Sequence, residues 1–165
     1  MTKTQGYVFV LWANRFDETT AAIFVTELRK AGLRVKLVSL AGQPTPGAYG
    51  LSLVPDMTLE EALPLANQAV AVILPCNAQQ MKRMQSDPRL VGFMQVTHEA
   101  NAQIVVNQAL VDNSGVAPHL LPPNRLIMYQ AGDDILLFVQ RLGISLNTLP
   151  KVGLGSADFQ PSTTS

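Results

Sequence analysis

Residues 7–42 read YVFVLWANRFDETTAAIFVTELRKAGLRVKLVSLAG, and this stretch decides the fold class. Its first part, 7–13, is a continuous apolar run, rich in β-branched and aromatic residues and too short for a helix, which predicts a strand buried on both faces. The segment 17–31 then shows the apolar spacing of a helix and ends before Gly32. The segment 33–40 alternates apolar and polar residues, as a strand near a sheet edge does. Strand, helix and strand in this order predict a βαβ unit.

Apolar runs, turn residues and capping motifs predict the remaining elements. The further strands are a short one at 51–54 and three longer ones at 69–75, 103–106 and 126–129. The further helices are one opened by the capping box at Thr58, one opened by Asp87 and Pro88, and a last one that starts after Asp133 or Asp134 and ends before Gly143. This alternation predicts one doubly wound α/β domain over residues 1–150, a three-layer sandwich whose parallel sheet has four or five strands. Residues 151–165 are expected to form a disordered tail.

Composition limits the classes of partner. Charged residues make up 15% of the 165 residues, below the ~25% of an average soluble domain, so we expect a partner to cover part of the surface. Twelve lysines and arginines balance twelve acidic residues, which disfavours nucleic acids and acidic membranes as partners. The single cysteine, Cys76, and a start without a secretory signal favour a cytoplasmic protein. No apolar run approaches the ~18 residues that span a bilayer.

Polar side chains follow three of the predicted strands. In a doubly wound sheet, ligands bind beyond the carboxyl ends of the strands, so these residues are the candidates for a binding crevice. They are Asn14 and Arg15 after the first strand, Cys76 and Asn77 after strand 69–75, and Asn107 and Gln108 after strand 103–106. Their groups are amides, a thiol and a guanidinium, and the amides of Asn107 and Gln108 offer both donors and acceptors to a neutral ligand.

The motifs of several enzyme classes do not occur in the sequence. The first turn, NRFDET, lacks the glycines that bring a dinucleotide pyrophosphate close to the backbone. No phosphate-binding P-loop and no G-x-S-x-G hydrolase elbow occurs, and Cys76 stands where a receiver domain would carry its aspartate. His98 and His119 do not have the spacing of metal ligands. No cofactor and no metal ion is therefore expected.

Two of the crevice candidates allow alternative interpretations. Cys76 ends a strand just ahead of a helix, where amide dipoles lower a thiol pKa, which would make it reactive. A free cysteine is more often a small buried apolar side chain. Arg15, beside Asn14 and Asn77, suits the binding of a carboxylate or phosphate, but such an arginine is more often solvated or paired with an acidic neighbour such as Asp17.

Several segments together resemble the DJ-1/PfpI family, which is class I glutamine amidotransferase-like. The resemblance rests on the stretch 7–42, on LVPDMTLEEAL at 53–63 and on AVAVILPCN at 69–77, which keep the family's spacing over about the first half of the chain. QIVVNQA at 103–109 falls where the family has its nucleophile elbow, and NRLIMYQAGDDILLFVQRLG at 124–143 is similar to its last strand and helix.

The resemblance implies a flavodoxin-like sandwich, frequent homodimers and, in active members, a cysteine nucleophile on a strained elbow that faces a glutamate from helix one. With the spacing kept, Gln108 takes the place of the cysteine, Thr20 that of the glutamate, and Leu110 that of the elbow glycine. Glu18 lies two residues before the glutamate position and is expected to point elsewhere on the helix. The chain therefore resembles a degenerate member without the family's nucleophile.

Two functions follow as hypotheses. The favoured one is a non-catalytic module that binds a small ligand or a protein partner and forms a homo-oligomer, with an apolar contact along helix one or the methionine-bearing segment. The alternative is a hydrolase, glyoxalase or deglycase whose nucleophile is Cys76. The sequence leans against an enzyme without deciding the question.

Overall fold

The computed structural model describes residues 6–41, 43–112, 115–116, 118–130 and 132–148. In chain order its strands are β1 (Tyr7–Trp12), β2 (Arg34–Ser39), β3 (Thr45–Pro46), β4 (Ser52–Leu53), β5 (Met57–Thr58), β6 (Ala69–Leu74), β7 (Gln103–Asn107) and β8 (Leu126–Tyr129). Six of them form one parallel sheet in the order β5-β2-β1-β6-β7-β8, and β3 pairs with β4 as a small antiparallel hairpin. This confirms the predicted parallel sheet.

Helices cover both faces of the sheet. They are α1 (Glu18–Lys30), α2 (Leu59–Ala62), α3 (Ala78–Met84), α4 (Pro88–Glu99), α5 (Gln108–Asp112) and α6 (Ile135–Thr148), with single 3₁₀ segments at Leu63–Gln68, Pro118–Leu120 and Pro123–Arg125. α1 packs against α6, and α4 packs against α2 and the 3₁₀ segment that follows it. The result is the flavodoxin-like three-layer α/β fold expected from the sequence. None of the helices in the described ranges combines the length and apolar character that a membrane crossing requires.

Side-chain caps start the main helices at the predicted positions. Asp17 precedes α1 and accepts a hydrogen bond from the Thr20 main-chain N–H at 3.1 Å. Thr58 forms the expected capping box with Glu61 at the start of α2. Asp87 precedes Pro88 at the start of α4. These local hydrogen bonds satisfy main-chain donors that have no partner inside the helix.

The strand order creates a switch point. From β1 the chain crosses to β2 on one side, and from β6 it crosses to β7 on the other. Because both crossovers of such a sheet are right-handed, the connecting helices α1 and α4 lie on opposite faces and separate at the carboxyl ends of β1 and β6. A crevice is expected at this point of the fold.

The structure corrects two details of the sequence-based prediction. The sheet has six strands instead of four or five, because the two-residue β5 adds an edge next to β2. α6 does not end before Gly143 but continues to Thr148. A side chain at Gly143 would place its Cβ 3.2 Å from that of Ala31, so this glycine permits close packing of α6 on α1 and is not a stop signal. The predicted tail, 151–165, lies outside the described residues.

Candidate ligand cleft

A cleft of about 260 Å³ opens at the switch point. Residues that follow the strands line it. The buried residues Pro75 and Cys76 after β6 and Tyr129 at the end of β8 form its base, whereas the exposed Arg15 after β1 and Asn77 after β6, with the partly buried Asn107 of β7, lie nearer to solvent. Helical residues and the β3–β4 hairpin complete the walls with Asp17, Thr20, Gln80, Ala109, Leu110, Ala48 and Tyr49. Every one of these positions depends on the parallel sheet, which brings the carboxyl ends of its strands to one edge.

Four of the six sequence-predicted crevice residues line this cleft, and two do not. Arg15, Cys76, Asn77 and Asn107 belong to the lining. Asn14 lies exposed in the turn before Arg15 and is not part of it. Gln108 is also outside the lining: it begins α5, and its Nε2 donates a hydrogen bond to Asp112 Oδ1 at 3.2 Å, one helical turn further on.

Gln108 has an ordinary backbone conformation. Among the described residues, the only non-glycine positions with positive φ are Arg15, at 71°, and Asn101, at 65°. The turn from β7 into α5 therefore does not hold its first helical residue in the strained, left-handed region of the backbone map. Leu110, which the family resemblance assigns to the position of the elbow glycine, is fully buried in the core.

Cys76 lies at the base of the cleft as a buried thiol. Only 6% of the residue is exposed, and burial raises the pKa of the thiol to about 12. Tyr129, also at the base, has a raised pKa, first because burial disfavours the phenolate and then because negative charge on Cys76 or Asp17 would repel it. Both groups keep their protons at neutral pH, so the base of the cleft offers neutral hydrogen-bonding groups.

Glu18 is directed away from the cleft and anchors the hairpin. Its carboxylate is buried and accepts hydrogen bonds from the main-chain N–H groups of Tyr49 and Leu51, both at 2.9 Å. Burial opposes ionisation of this carboxyl, but the surrounding main-chain N–H groups outweigh it and lower its pKa. A Cβ at Gly47 would overlap the Glu18 carboxylate, so the hairpin passes directly over the acid. The expectation that Glu18 points elsewhere agrees with this geometry.

Thr20, at the position that the family resemblance assigns to a glutamate, lines the cleft. Its hydroxyl donates to Asp17 Oδ2 at 2.8 Å, while its main-chain N–H donates to Asp17 Oδ1. Both carboxylate oxygens of Asp17 are thereby engaged in capping α1. The only acidic side chain among the described lining residues is therefore already bound.

The helices around the cleft carry side-chain caps on their N-terminal N–H groups. The capped groups are Thr20 N with Asp17 Oδ1 at 3.1 Å, Gln80 N with Asn77 Oδ1 at 2.8 Å, and Ala109 N with Asn107 Oδ1 at 2.9 Å. Each cap removes a main-chain donor that could otherwise hydrogen-bond a developing oxyanion or a phosphate.

A second opening continues the cleft outward, and sequence reasoning missed part of it. Arg15, Ala48, Asn77 and Gln80 are shared by both openings, and Gln79 and Arg83 of α3 complete the outer one, with a volume of about 420 Å³. The sequence did contain a signal for α3, because Asn77 and Gln80 form a reciprocal capping box that marks the start of this helix directly after the strand.

Among the described residues, no three His, Cys, Asp or Glu side chains come close enough together to hold a metal ion.

A parallel sheet with a cleft at the switch point between β1 and β6 defines a flavodoxin-like α/β protein. The model of the DJ-1/PfpI family matches residues 7–107, and the chain belongs to that family. No curated protein matches the chain.

Solved structures share the fold at low sequence identity. DJ-1beta of Drosophila melanogaster superposes with a TM-score of 0.69 at 17% identity, covering 87% of this chain and 91% of that one. A ThiJ/PfpI domain protein from Brachyspira murdochii also gives 0.69, at 13% identity over 90% of this chain and 100% of that one. A two-domain protein from Anabaena variabilis with DJ-1/ThiJ/PfpI-like and ferritin-like domains gives 0.66 at 19% identity, with 87% of this chain aligned to 48% of that protein.

Proposed function

We propose that this chain is a non-catalytic member of the DJ-1/PfpI family that binds a small ligand in the cleft. The observation that carries the proposal is the burial of Cys76: only 6% of the residue is exposed, and this burial raises the pKa of the thiol to about 12, so that it stays protonated at neutral pH. Nucleophilic catalysis requires a thiolate at working pH. At the position that corresponds to the family's nucleophile, Gln108 has no nucleophilic group and is bound to Asp112.

The groups that would assist a nucleophile also support a binding role. A catalytic thiol needs a proton acceptor within hydrogen-bond reach and N–H donors directed at the developing oxyanion. Asp17 is the carboxylate among the described lining residues, and each of its oxygens already accepts one hydrogen bond from Thr20. An N–H group at the start of each of α1, α3 and α5 is bound to a side-chain cap.

The alternative function is an enzyme of the hydrolase, glyoxalase or deglycase kind that uses Cys76. One observation favours it, since Cys76 lines the cleft where a substrate would lie. Turnover of methylglyoxal and of an aryl ester, measured for the natural protein and for Cys76→Ser, separates the two functions. We expect neither protein to exceed the buffer rate, whereas turnover that disappears in Cys76→Ser would establish the enzyme.

We further propose that two copies of the chain associate through the β3–β4 hairpin and the turn after it. Three large apolar side chains are exposed there: Tyr49 at 81%, Leu51 at 59% and Val54 at 78%. The methionine-bearing segment expected from the sequence offers less, because Met81 and Met94 are buried in the core. Exposed apolar groups rarely cluster on a monomer surface, and a sequence with 15% charged residues supports a covered patch.

A cytoplasmic location is part of the proposal. It is supported by the single cysteine, which does not suit a protein built for an oxidising compartment. The equal numbers of basic and acidic residues support a small molecule or a protein as partner in preference to a nucleic acid.

A further inference from the structure

We infer that the ligand of the cleft carries a carboxylate, which Arg15 and Arg83 bind at the cleft mouth. This inference rests on the proposed function, because it names the chemical class of the small ligand that the cleft takes. Both arginines line the outer opening, and Arg15 also lines the inner cleft. A ligand bound by both would lie across the boundary between the two openings.

Arg15 is held in place by its backbone. It has a φ of 71°, a conformation in which glycine or asparagine is the usual residue. Its main-chain N–H donates to Pro46 O at 2.9 Å, and its carbonyl accepts a hydrogen bond from Gln80 Nε2 at 2.5 Å. An arginine at such a position needs support from the surrounding structure, and residues of this kind concentrate at functional sites.

The described residues that line the outer opening include two arginines and no acidic residue. Among the described residues, neither Arg15 nor Arg83 belongs to an ion pair, whereas Arg29 and Arg89 each bind an acidic side chain. Asp17, the acidic side chain of the inner cleft, keeps its charge while it accepts hydrogen bonds from Thr20, and within the described part of the chain it forms no ion pair with either arginine. The other residues of the outer opening carry amide or methyl side chains. The two guanidinium groups therefore remain available to an anion.

The hydrogen-bond donors favour a carboxylate over a phosphate. Phosphate sites in proteins typically gather several main-chain N–H groups at a helix start. Here the N–H groups of Thr20, Gln80 and Ala109 are bound to side-chain caps. A planar carboxylate fits the fork of a guanidinium in a bidentate arrangement and does not require main-chain donors. Further in, the neutral thiol of Cys76 and phenol of Tyr129 suit the uncharged part of the ligand.

The experiment is a titration of the ¹⁵N-labelled full chain, followed by the NMR signals of its main-chain amides. The probes are acetate, lactate, succinate and glutarate, each compared with its neutral amide at equal ionic strength, and inorganic phosphate. Arg15→Gln and Arg83→Gln each remove one guanidinium. Arg141→Gln is the matched control, because Arg141 is an exposed arginine of α6 outside both openings.

We expect at least one carboxylate to shift the amide signals of Arg15, Asn77 and Gln80. Its affinity should fall about tenfold or more in Arg15→Gln and in Arg83→Gln, since a hydrogen bond to a charged group is lost, and should stay unchanged in Arg141→Gln. Because Arg83 lies on an exposed helical face, Arg83→Gln tests the inference even if Arg15→Gln disturbs the turn.

Other results would overturn the inference in distinguishable ways. Neutral amides that shift the same signals as strongly as the acids, with the variants unaffected, would refute the carboxylate and leave small-ligand binding in place. Phosphate binding without carboxylate binding would refute the choice of anion. If none of the probes shifts the amide signals, the carboxylate inference is refuted. The turnover measurements with Cys76→Ser test the non-catalytic role independently of that result.

Discussion

Iodoacetamide reacts with the thiolate form of a cysteine, so the rate at which it alkylates Cys76 reports on the protonation of this side chain. Burial raises the pKa of Cys76 from the ordinary 9.0 to about 12. At pH 7 the thiolate then makes up about one molecule in 10⁵, compared with about one in 10² for an exposed thiol. We therefore expect Cys76 to react about a thousandfold more slowly, with any steric hindrance adding to that factor.

The matched control is an exposed cysteine in the same protein. Ser86 is exposed between α3 and α4, so Ser86→Cys combined with Cys76→Ser provides a single, solvated thiol. Second-order rate constants from intact mass spectrometry, measured from about pH 6 to about pH 10, should level off near the ordinary thiol pKa for the control. For Cys76 the rate should still rise tenfold per pH unit at the upper end of that range.

The pH profile also separates protonation from simple inaccessibility. A hindered thiol with an ordinary pKa would react slowly, but its rate would level off at the same pH as that of the control. A Cys76 rate at pH 7 that equals or exceeds the control, with a plateau below pH 9, would show an activated thiolate and refute the reasoning behind the non-catalytic role.

Three further predictions concern the hairpin beside the cleft. Gly47→Ala places a methyl group against the Glu18 carboxylate and should lower the free energy of unfolding by about 1–3 kcal/mol, as overpacking does; Gly92→Ala, in open space on α4, is the control and should leave thermal unfolding unchanged or slightly raised. Glu18→Gln should destabilise the protein most at neutral pH. The pKa of Glu18 is lowered in the folded protein, so the ionised carboxylate stabilises the fold above the ordinary pKa of 4.5, and this stabilisation is lost as the pH falls. Urea unfolding should therefore show a larger loss of unfolding free energy in Glu18→Gln at pH 7 than at pH ~3.5, and an equal loss at both pH values would contradict the buried, ionised carboxylate. Light scattering at micromolar concentration should give the mass of two or more chains, reduced by Leu51→Ser with Val54→Ser but not by Ile144→Ser on exposed α6; a single-chain mass at all concentrations would refute self-association.

The first βαβ unit was predictable because its signals are local. The apolar run of β1, the helical spacing and Asp17 cap of α1, and the alternation of β2 each depend on neighbouring residues alone. β5 was not predictable in this way, since its two residues become a strand only by pairing with β2. Gly143 carried the signal of a helix end, but its contact with Ala31 depends on the packing of two helices that lie far apart in sequence.

The sequence was sufficient to predict that the candidate site lies at the carboxyl ends of the strands, but not which side chains line it. Topology places Asn14 and Arg15 in the same turn, but only Arg15, whose backbone is left-handed, lines the cleft, and no sequence pattern distinguishes the two. Gln108 could have been assigned differently from the sequence, because a glutamine and an aspartate four residues apart form a hydrogen bond on a helix surface. The burial of Cys76, which sets its pKa, comes from elements that converge on the end of β6 and leaves no local pattern.

Polarity changes along the cleft from neutral groups at the base to charged groups at the mouth. At the base, Cys76 and Tyr129 keep their protons because charged forms would be desolvated there. At the mouth, Arg15 and Arg83 lie at the opening to solvent, where a guanidinium keeps part of its hydration until an anion replaces it. Catalysis by the Cys76 thiol would instead need a thiolate and free N–H donors at the base. Under the proposed function, a ligand that enters with its carboxylate last meets Arg15 and Arg83 at the mouth and the protonated thiol and phenol of Cys76 and Tyr129 at the base.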